Sequence, residues 1–388
     1  MTVREIGSES ATRLLRIGIC AATLLAVPAP SFAQTTGGGA MPPHDQAPTQ
    51  TPPDQTDYPR LKIVGFGDIT FNSTKYVEGP RNFAEGQFVL HMASALSPRA
   101  TFFGEVSFTP RIDAGQGSPP ATGFNAEIER MILRLDHSDR LKVSFGRYHT
   151  PINFWNTAFH HGAWLQTSIL RPEMVQFGGR LLPVHFVGAL VEGAVPAGGV
   201  NLHYQAGIGN GRNTVISRAG DPGDVNSKRA LLLTTFARPD AAYGLQVGGS
   251  FYLDDISLST GQQFQEHIVA GHIVWNKETP ELIAEVAAIR HEQSVVGPPL
   301  WSNAFYVLAA YRLPQFGKLL KPYYRFEHIN VNAGDTVFQS VPDLDMSTVG
   351  VRYDAAPLVA FKAEYRNWTR GTGSVRNYGG FLQVCFTF

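Results

Sequence analysis

The chain has 388 residues with equal numbers of basic and acidic side chains, so its formal net charge is zero and no nucleic-acid partner is expected. Its mean hydropathy of −0.09 is ordinary for a soluble protein, but strands that alternate lipid-facing and water-facing residues average to the same value. The chain is unusually rich in glycine, with 39 residues, and in phenylalanine, with 25, which suits turns, tight strand packing and aromatic girdles. Of the two cysteines, Cys20 falls in a predicted leader, which leaves Cys385 without an intramolecular disulfide partner.

The first 33 residues have the pattern of a secretory signal peptide. Three arginines precede an apolar stretch over residues 17–27, and Ser31 and Ala33 are the small residues that a signal peptidase requires. We predict cleavage after Ala33. The apolar stretch is too short to span a membrane as a helix, and no other stretch in the chain approaches 18 apolar residues.

Residues 34–58 are rich in Pro, Gln, Thr and Gly. Such a composition cannot bury a core, so we predict a disordered periplasmic segment. From about residue 59 the pattern changes to strands separated by turn signals. For a secreted chain that enters a membrane without a spanning helix, the closed β-barrel is the remaining structure that can cross the bilayer.

The fold class predicted for residues 59–388 is therefore all-β, a closed antiparallel transmembrane β-barrel of about sixteen strands. Each candidate strand has the length that a tilted membrane strand needs. The candidates lie near 61–71, 84–94, 100–109, 126–136, 140–148, 182–192, 200–210, 229–237, 243–253, 265–276, 281–291, 302–313, 321–330, 346–354, 358–369 and 378–388.

The predicted connections alternate in length. Those after even-numbered strands are mostly short and carry Pro or Asp, whereas several after odd-numbered strands are long, at 110–124, 149–181, 211–227, 291–301 and 331–345. Short turns at one end and long loops at the other are typical of outer-membrane barrels, with the long loops outside the cell.

Charged residues at alternate positions identify the face of each strand that is turned to the lumen. The strand near 229–237 is apolar on both faces and stays unassigned. Inward bases outnumber inward acids, which favours anions weakly. The predicted pore wall comprises Lys62, Glu105, Arg130, Arg134, Lys142, Arg325, Glu327, Arg352, Lys362, Glu364 and Arg366.

The last strand alternates apolar and small or polar residues up to the terminal Phe388. Chain termini usually fray, so an apolar strand that includes the last residue is unusual for a soluble protein. It resembles the closing strand of bacterial outer-membrane proteins. The resemblance implies that Phe386 and Phe388 are an insertion signal for the barrel-insertion machinery, and that the protein lies among the lipids of a Gram-negative outer membrane.

The connection between the fifth and sixth strands is the longest in the chain, and it begins with Gly146-Arg-Tyr-His-Thr-Pro151. The architecture, this opening and the terminal Phe are similar to those of sixteen-stranded general and phosphate-selective porins, whose third outer loop folds into the barrel. The dense arginine ladder of phosphate-selective porins is missing from the strand patterns. The resemblance implies a passive channel for small solutes, and a homotrimer is expected from it alone.

The loop is rich in aromatic residues that need a surface to pack on, and the inner barrel wall offers one. We therefore predict that it folds inward and narrows the pore, although an outer lid held by its own aromatics remains open. The predicted constriction residues are Arg147, His149, Asn153, Phe154, Trp155, His160, His161, Trp164, Arg171 and Glu173.

Other chemistry is not predicted. His160 and His161 would point apart on a strand, and no carboxylate lies at a ligand spacing, so no metal and no cofactor is expected. No nucleophile motif appears, so an enzyme is not expected. Three functions stay open: a passive porin for small hydrophilic solutes or ions, a substrate-selective channel with an aromatic constriction, and a plugged barrel that acts as an enzyme or scaffold.

Overall fold

The computed structural model is a closed barrel of sixteen antiparallel strands, in which each strand pairs with its neighbours in sequence and β1 pairs with β16. It describes residues 58–73, 82–111, 113–177, 180–212, 214–216, 220–293, 297–371 and 375–388. The predicted signal peptide and nearly all of the predicted 34–58 segment lie outside the described residues. The prediction of a closed antiparallel barrel with sixteen strands is confirmed.

The strands lie close to the ranges predicted from the sequence. They are β1 Arg60–Asn72, β2 Asn82–Ser97, β3 Ala100–Pro110, β4 Phe124–Ser138, β5 Leu141–His149, β6 His185–Val195, β7 Leu202–Asn210, β8 Ala230–Ala237, β9 Leu245–Ser257, β10 Gln263–Asn276, β11 Glu281–Gln293, β12 Leu300–Ala310, β13 Leu320–Asn330, β14 Leu344–Ala356, β15 Val359–Arg370 and β16 Asn377–Thr387.

The helices in the described residues are short. One turn of α-helix, α1, spans Trp155–Ala158, and 3-10 helices span Ala163–Leu165, Glu173–Val175, Asp240–Ala242 and Pro314–Phe316. Among the described residues, none of the helices has both the length and the apolarity that a transmembrane helix requires.

The connections keep the predicted alternation with one exception. β2–β3, β4–β5 and β14–β15 are joined by two-residue turns, while the longest connection spans 150–184, which we call the β5–β6 segment. The β11–β12 connection is shorter than expected, at 294–299. Both flanking strands extend further than predicted, because β11 runs to Gln293 and β12 begins at Leu300.

Buried and exposed positions alternate along the strands, as they must where only one face is turned inward. In β15, Lys362, Glu364 and Arg366 are buried and Phe361 and Tyr365 are exposed, as the charge pattern predicts. The outer face carries many exposed apolar side chains, which suits contact with lipid.

The structure shows which face of β8, the strand that the sequence left unassigned, is turned inward. In β8, Leu232 and Thr234 are buried on the inner face, whereas Leu231 and Leu233 are exposed on the outer one. Thr234 donates a hydrogen bond to Pro151 O of the β5–β6 segment, which fixes the inner face of this strand.

The barrel closes between its first and last strands. Phe388 donates a backbone hydrogen bond to Gly65 O and accepts one from Gly65 N, at 3.0 and 2.9 Å. The Phe388 ring lies over Gly65, where a Cβ atom would clash with it. The absence of a side chain at Gly65 therefore lets the terminal ring pack flat on the seam and against Phe88, at a centroid distance of 5.9 Å.

The inner wall differs between the two sides of the barrel. Along β8–β14 buried apolar residues such as Tyr252, Ile268 and Tyr306 alternate with buried charged residues such as Glu285 and Arg325. Buried apolar residues of the β5–β6 segment belong to the same hydrophobic cluster as those of these strands, as does Phe338 of the β13–β14 connection at 331–343. In β8 itself, Leu232 on the inner face and Leu231 and Leu233 on the outer face are all apolar, which explains why the polar pattern alone could not assign this strand.

Candidate functional site

The β5–β6 segment is held by acidic side chains of the wall, which accept hydrogen bonds from its main chain. Glu285 of β11 accepts from Phe154 N and Trp155 N at 2.8 and 2.6 Å. Glu364 of β15 accepts from Ile169 N at 2.7 Å, and Glu327 of β13 accepts from Glu173 N at 2.5 Å. Such hydrogen bonds to charged acceptors are roughly twice as strong as neutral ones.

Basic side chains of the wall satisfy the carbonyl groups of the same segment. Arg325 donates to Ser168 Oγ and Leu170 O, and Arg352 donates to Trp164 O and Gln166 O. Lys362 donates to Ala163 O and Ser168 O, at 2.6 and 2.9 Å. These predicted pore-wall residues therefore bind the segment's main chain. The wall thus replaces the hydrogen bonds that an irregular buried backbone would otherwise lack.

Aromatic side chains add an apolar contact at the start of the segment. The Trp155 ring meets Tyr306 of β12 edge to face at 5.9 Å and Phe159 at 5.0 Å, and its exposure is 1%. Phe154 is also buried and contacts His272. Asn153, in left-handed backbone with φ of 63°, donates through its side chain to Val286 O. Burial of two large rings on one wall stabilises the segment by several kcal/mol, at about 1.5–3 kcal/mol per side chain.

On the other side of the barrel, side chains of β2–β7 line a small cavity of about 70 Å³ beside the β5–β6 segment. Its lining includes Arg130, Arg134, His149 and Glu192, together with Pro151 and Thr157 of the segment. Arg134 forms ion pairs with Asp136 and Glu192, at 2.7 and 3.8 Å. Polar and charged side chains thus face the cavity on the side where the wall is not covered by the segment.

Two predicted wall residues are neutralised at one edge of this cavity. Glu105 is fully buried, and Arg130 donates to it at 2.5 Å while its guanidinium lies 4.2 Å from the Phe103 ring. His91 lies 3.3 Å from the same carboxylate.

The two predicted wall lysines near the strand ends differ in exposure. Lys142 pairs in register with Glu192 and is half-buried, whereas Lys62 is exposed near the start of β1.

Four side chains meet where the segment crosses β4 and β5: Glu129, His149, His160 and His161, which we call the histidine cluster. One ligand atom from each lies within 4.8 Å of those of the other three, and all four residues are buried. The rings of His149 and His160 stack at a centroid distance of 3.7 Å. His185 stands at the edge, with Nε2 2.9 Å from Glu129 Oε2.

Glu129 enters this cluster because of an irregularity in β4. Arg130 pairs with Glu105, but the next pair is Ile128 with Val106, so Glu129 is an extra residue without an opposite partner. This β-bulge turns Glu129 and Arg130 to the same side. Both are about 3% exposed, whereas Ile128 and Met131 are exposed on the outer face. Strict alternation from Arg130 would place Glu129 outside.

Second partners orient the rings of the cluster. His160 Nδ1 lies 2.7 Å from Asn156 Oδ1, and His161 Nδ1 lies 3.1 Å from Gln87 Oε1. Each acceptor places the proton on Nδ1 and leaves Nε2 with a lone pair. Burial, together with His149 and Arg171, lowers the pKa of His160 well below its usual value.

The remaining predicted constriction residues lie around the segment. Arg147 binds Glu129 O and pairs with Asp221, and Arg171 donates to His160 O at 2.6 Å. The Trp164 ring lies 5.5 Å from the Arg352 guanidinium, and Glu173 pairs with Arg370 at 2.9 Å. The predicted set thus clusters in space, although its members bind one another and the wall.

Sequence reasoning missed part of this arrangement. The argument that His160 and His161 point apart on a strand is wrong, because both lie in a bend outside the strands and their ring centroids are 4.5 Å apart. The observation that no carboxylate lies at a ligand spacing in the sequence did not reveal Glu129, which comes from another strand. No local signal in the sequence marks the bulge that turns Glu129 inward.

No family model matches the chain, and no curated protein matches it in sequence. Solved structures match in fold. The anion-selective porin from Comamonas acidovorans aligns with a TM-score of 0.61 at 11% identity, over 85% of this chain and 100% of that one. The outer membrane channel DcaP of Acinetobacter baumannii gives 0.57 at 12% identity, over 85% and 97%. The trimer form of OmpT, an outer membrane protein of Vibrio cholerae, gives 0.56 at 13%, over 86% and 100%.

These likenesses establish the fold, which is that of outer-membrane porins, as the sequence resemblance indicated. At 11–13% identity they assign no residue of this chain a role.

Proposed function

We propose that this protein is an outer-membrane porin of a Gram-negative bacterium, a passive channel for small hydrophilic solutes or ions rather than an enzyme. The observation that carries the proposal is the closed sixteen-strand barrel, in which charged side chains of β4 and β6, Arg130, Arg134 and Glu192, line a cavity beside the β5–β6 segment. A barrel of about sixteen strands is wide enough to leave an aqueous path after one loop has entered it. The names of the structural neighbours, two of which are a porin and a channel, support the same reading.

The β5–β6 segment would be the constriction. Its main-chain hydrogen bonds to the inner faces of β11, β13, β14 and β15 support a position inside the lumen. The third outer loop of sixteen-stranded porins, which the segment resembles, has the same position. In this position the solute path runs along β2–β7, because the segment and the apolar wall fill the opposite side.

Selectivity would follow from the charges that remain on that path. Arg134 and Lys142 face Glu192, while Arg130 is neutralised by Glu105. Asp136 also pairs with Arg134, so these charges balance, and the weak preference for anions rests on the inward bases of the sequence pattern. The Comamonas acidovorans neighbour is described as anion-selective, which is in line with this sign.

The test is single-channel recording of the refolded protein in a planar bilayer, with the reversal potential measured under a salt gradient. Ohmic steps with a reversal potential of the anion sign are expected. Arg134→Glu combined with Lys142→Glu should shift that potential toward cations. The charge-preserving pair Arg134→Lys and Lys142→Arg is the matched control and should leave it unchanged. A folded barrel that gives no steps contradicts the proposal.

A plugged barrel is the second candidate, and the extensive apolar core between the segment and β8–β14 favours it. The same recordings separate the two, since a plugged lumen gives no conductance from protein that is demonstrably folded.

The aromatic track of a substrate-selective channel has less support. Phe154 and Trp155 are buried against the wall rather than turned to the cavity, and neither is among its lining residues.

A homotrimer is the proposed assembly. The outer face of β8 presents Leu231 and Leu233, and β9 continues it with Val247 and Phe251, all exposed and apolar. One structural neighbour, OmpT of Vibrio cholerae, is described in a trimer form. The terminal Phe386 and Phe388 are proposed to serve the barrel-insertion machinery.

A further inference from the structure

We propose that the histidine cluster of Glu129, His149, His160 and His161 is a binding site for a divalent transition-metal ion of the zinc type, with His185 at its edge. This proposal is independent of the proposed porin function, because it is based on the positions of the ligand atoms in the cluster.

The donor set fits the chemistry of such an ion. Imidazole nitrogens combined with one carboxylate oxygen suit Zn²⁺, Ni²⁺, Co²⁺ and Cu²⁺, whereas Mg²⁺ and Ca²⁺ prefer oxygen ligands alone. Tetrahedral ligands about 2.0–2.1 Å from zinc lie roughly 3.3 Å from each other. His161 Nε2 and Glu129 Oε2 are already 3.3 Å apart. All donor atoms lie within 4.8 Å of one another, so no pair would have to close by more than about 1.5 Å to reach the tetrahedral spacing.

Two of the ring nitrogens that would bind the ion lack hydrogen bonds. Among the described residues, Nε2 of His149 and Nε2 of His160 are buried without a hydrogen-bond partner. Glu129 Oε2 lies beside them and has His185 Nε2 at 2.9 Å and His161 Nε2 at 3.3 Å. Buried nitrogens without a partner are destabilising, and a metal ion shared with the carboxylate would satisfy both.

The outer partners match those of metal-binding histidines. Ligating histidines almost always donate their second ring N–H to an acceptor, which fixes the tautomer. His160 has Asn156 Oδ1 in that place and His161 has Gln87 Oε1. The carboxylate is oriented too, since Ser107 Oγ donates to Glu129 Oε1 at 2.7 Å, which turns Oε2 toward the histidine rings, with His185 Nε2 2.9 Å away.

Two arginines lie near the cluster. Arg130 is paired with Glu105, whereas Arg171 donates to His160 O, lies 3.8 Å from the Phe177 ring and keeps its positive charge. The β-bulge supplies Glu129 as the additional carboxylate that faces the cluster. Because Glu129 and His149 belong to the wall and the other two ligands to the β5–β6 segment, the ion would link the segment to the barrel.

The experiment uses the untagged, refolded mature protein, stripped with EDTA and then equilibrated by dialysis against ZnCl₂. One tightly bound zinc per chain is expected by elemental analysis, and Co²⁺ in its place should give the intense visible absorption of a low-symmetry site. His160→Ala, His161→Ala and Glu129→Gln should each weaken zinc binding more than tenfold. His203→Ala in β7 and His328→Ala in β13 remove histidines outside the cluster and should change nothing.

Folding of every variant is checked by its heat-dependent mobility on gels, so that a loss of zinc is read only from folded barrels. Wild-type protein that takes up no more zinc than the triple variant His149→Ala, His160→Ala, His161→Ala would overturn the proposal. Equal loss in the two control variants would overturn it as well. Both outcomes are independent of conductance, so they separate failure of the metal site from failure of the porin proposal.

Discussion

At the scale of single residues, Gly65 shows how one missing side chain lets the barrel close. The Phe388 ring occupies the space where a Cβ of residue 65 would lie. Gly65→Ala should therefore displace the ring and lower the free energy of unfolding by about 1–3 kcal/mol, the usual cost of overpacking. The measurement is a denaturant titration of the folded barrel in lipid.

Gly271→Ala is the control for this experiment. Gly271 also lies within a strand, but the nearest atom to its added Cβ is 3.7 Å away. Equal destabilisation by the two substitutions would mean that loss of glycine as such, and not the clash with Phe388, sets the cost.

Glu285 is a second residue with a local role, since one carboxylate oxygen accepts two main-chain hydrogen bonds of the β5–β6 segment. Glu285→Ala would leave the N–H groups of Phe154 and Trp155 buried and unpaired, at a cost of about 1–3 kcal/mol each. We expect faster limited proteolysis within residues 150–184 of the refolded protein, with the cut sites mapped by mass spectrometry.

Glu285→Gln is the matched control, because the amide oxygen can still accept from both groups. Proteolysis of the Gln variant should stay close to that of the wild type. If the Ala variant is cut no faster than either, the two hydrogen bonds do not hold the segment.

At the scale of elements, the β5–β6 segment is held on β14 and β15 by Arg352 and Lys362, which together donate four hydrogen bonds to its carbonyl groups. Arg352→Ala with Lys362→Ala should loosen the segment, widen the proposed path and raise both the single-channel conductance and its noise. Lys62→Ala removes an exposed base of β1 and serves as the control. A double variant with wild-type conductance and noise would argue against a constriction formed by this segment.

At the scale of the whole molecule, the proposed trimer predicts where the barrels meet. Leu231→Asn with Leu233→Asn polarises the outer face of β8 and should shift the detergent-solubilised protein from trimer to monomer in analytical ultracentrifugation. Val349→Asn with Val351→Asn makes the same change on the outer face of β14, at a similar cost to lipid contact, and should leave the trimer intact. Loss of the trimer in both variants would show that β8 is not the specific contact.

The sequence by itself determined the barrel. The sixteen strands can be predicted from local features of the sequence. These features are the alternation with a period of two residues, the turn signals between strands and the terminal Phe388. The same pattern identified the inward charges of β13, β14 and β15, because a charged side chain on the lipid face would be too costly.

Only the tertiary structure decided what those charges do and which histidines meet. Arg352, Lys362 and Glu364 bind the main chain of a segment about 200 residues earlier, and no local pattern encodes such a contact. Glu129 joins the histidine cluster through a β-bulge that breaks the alternation on which the sequence reading depends. Strand periodicity is a property of neighbours along the chain, whereas the site is made by residues that only the closed barrel brings together.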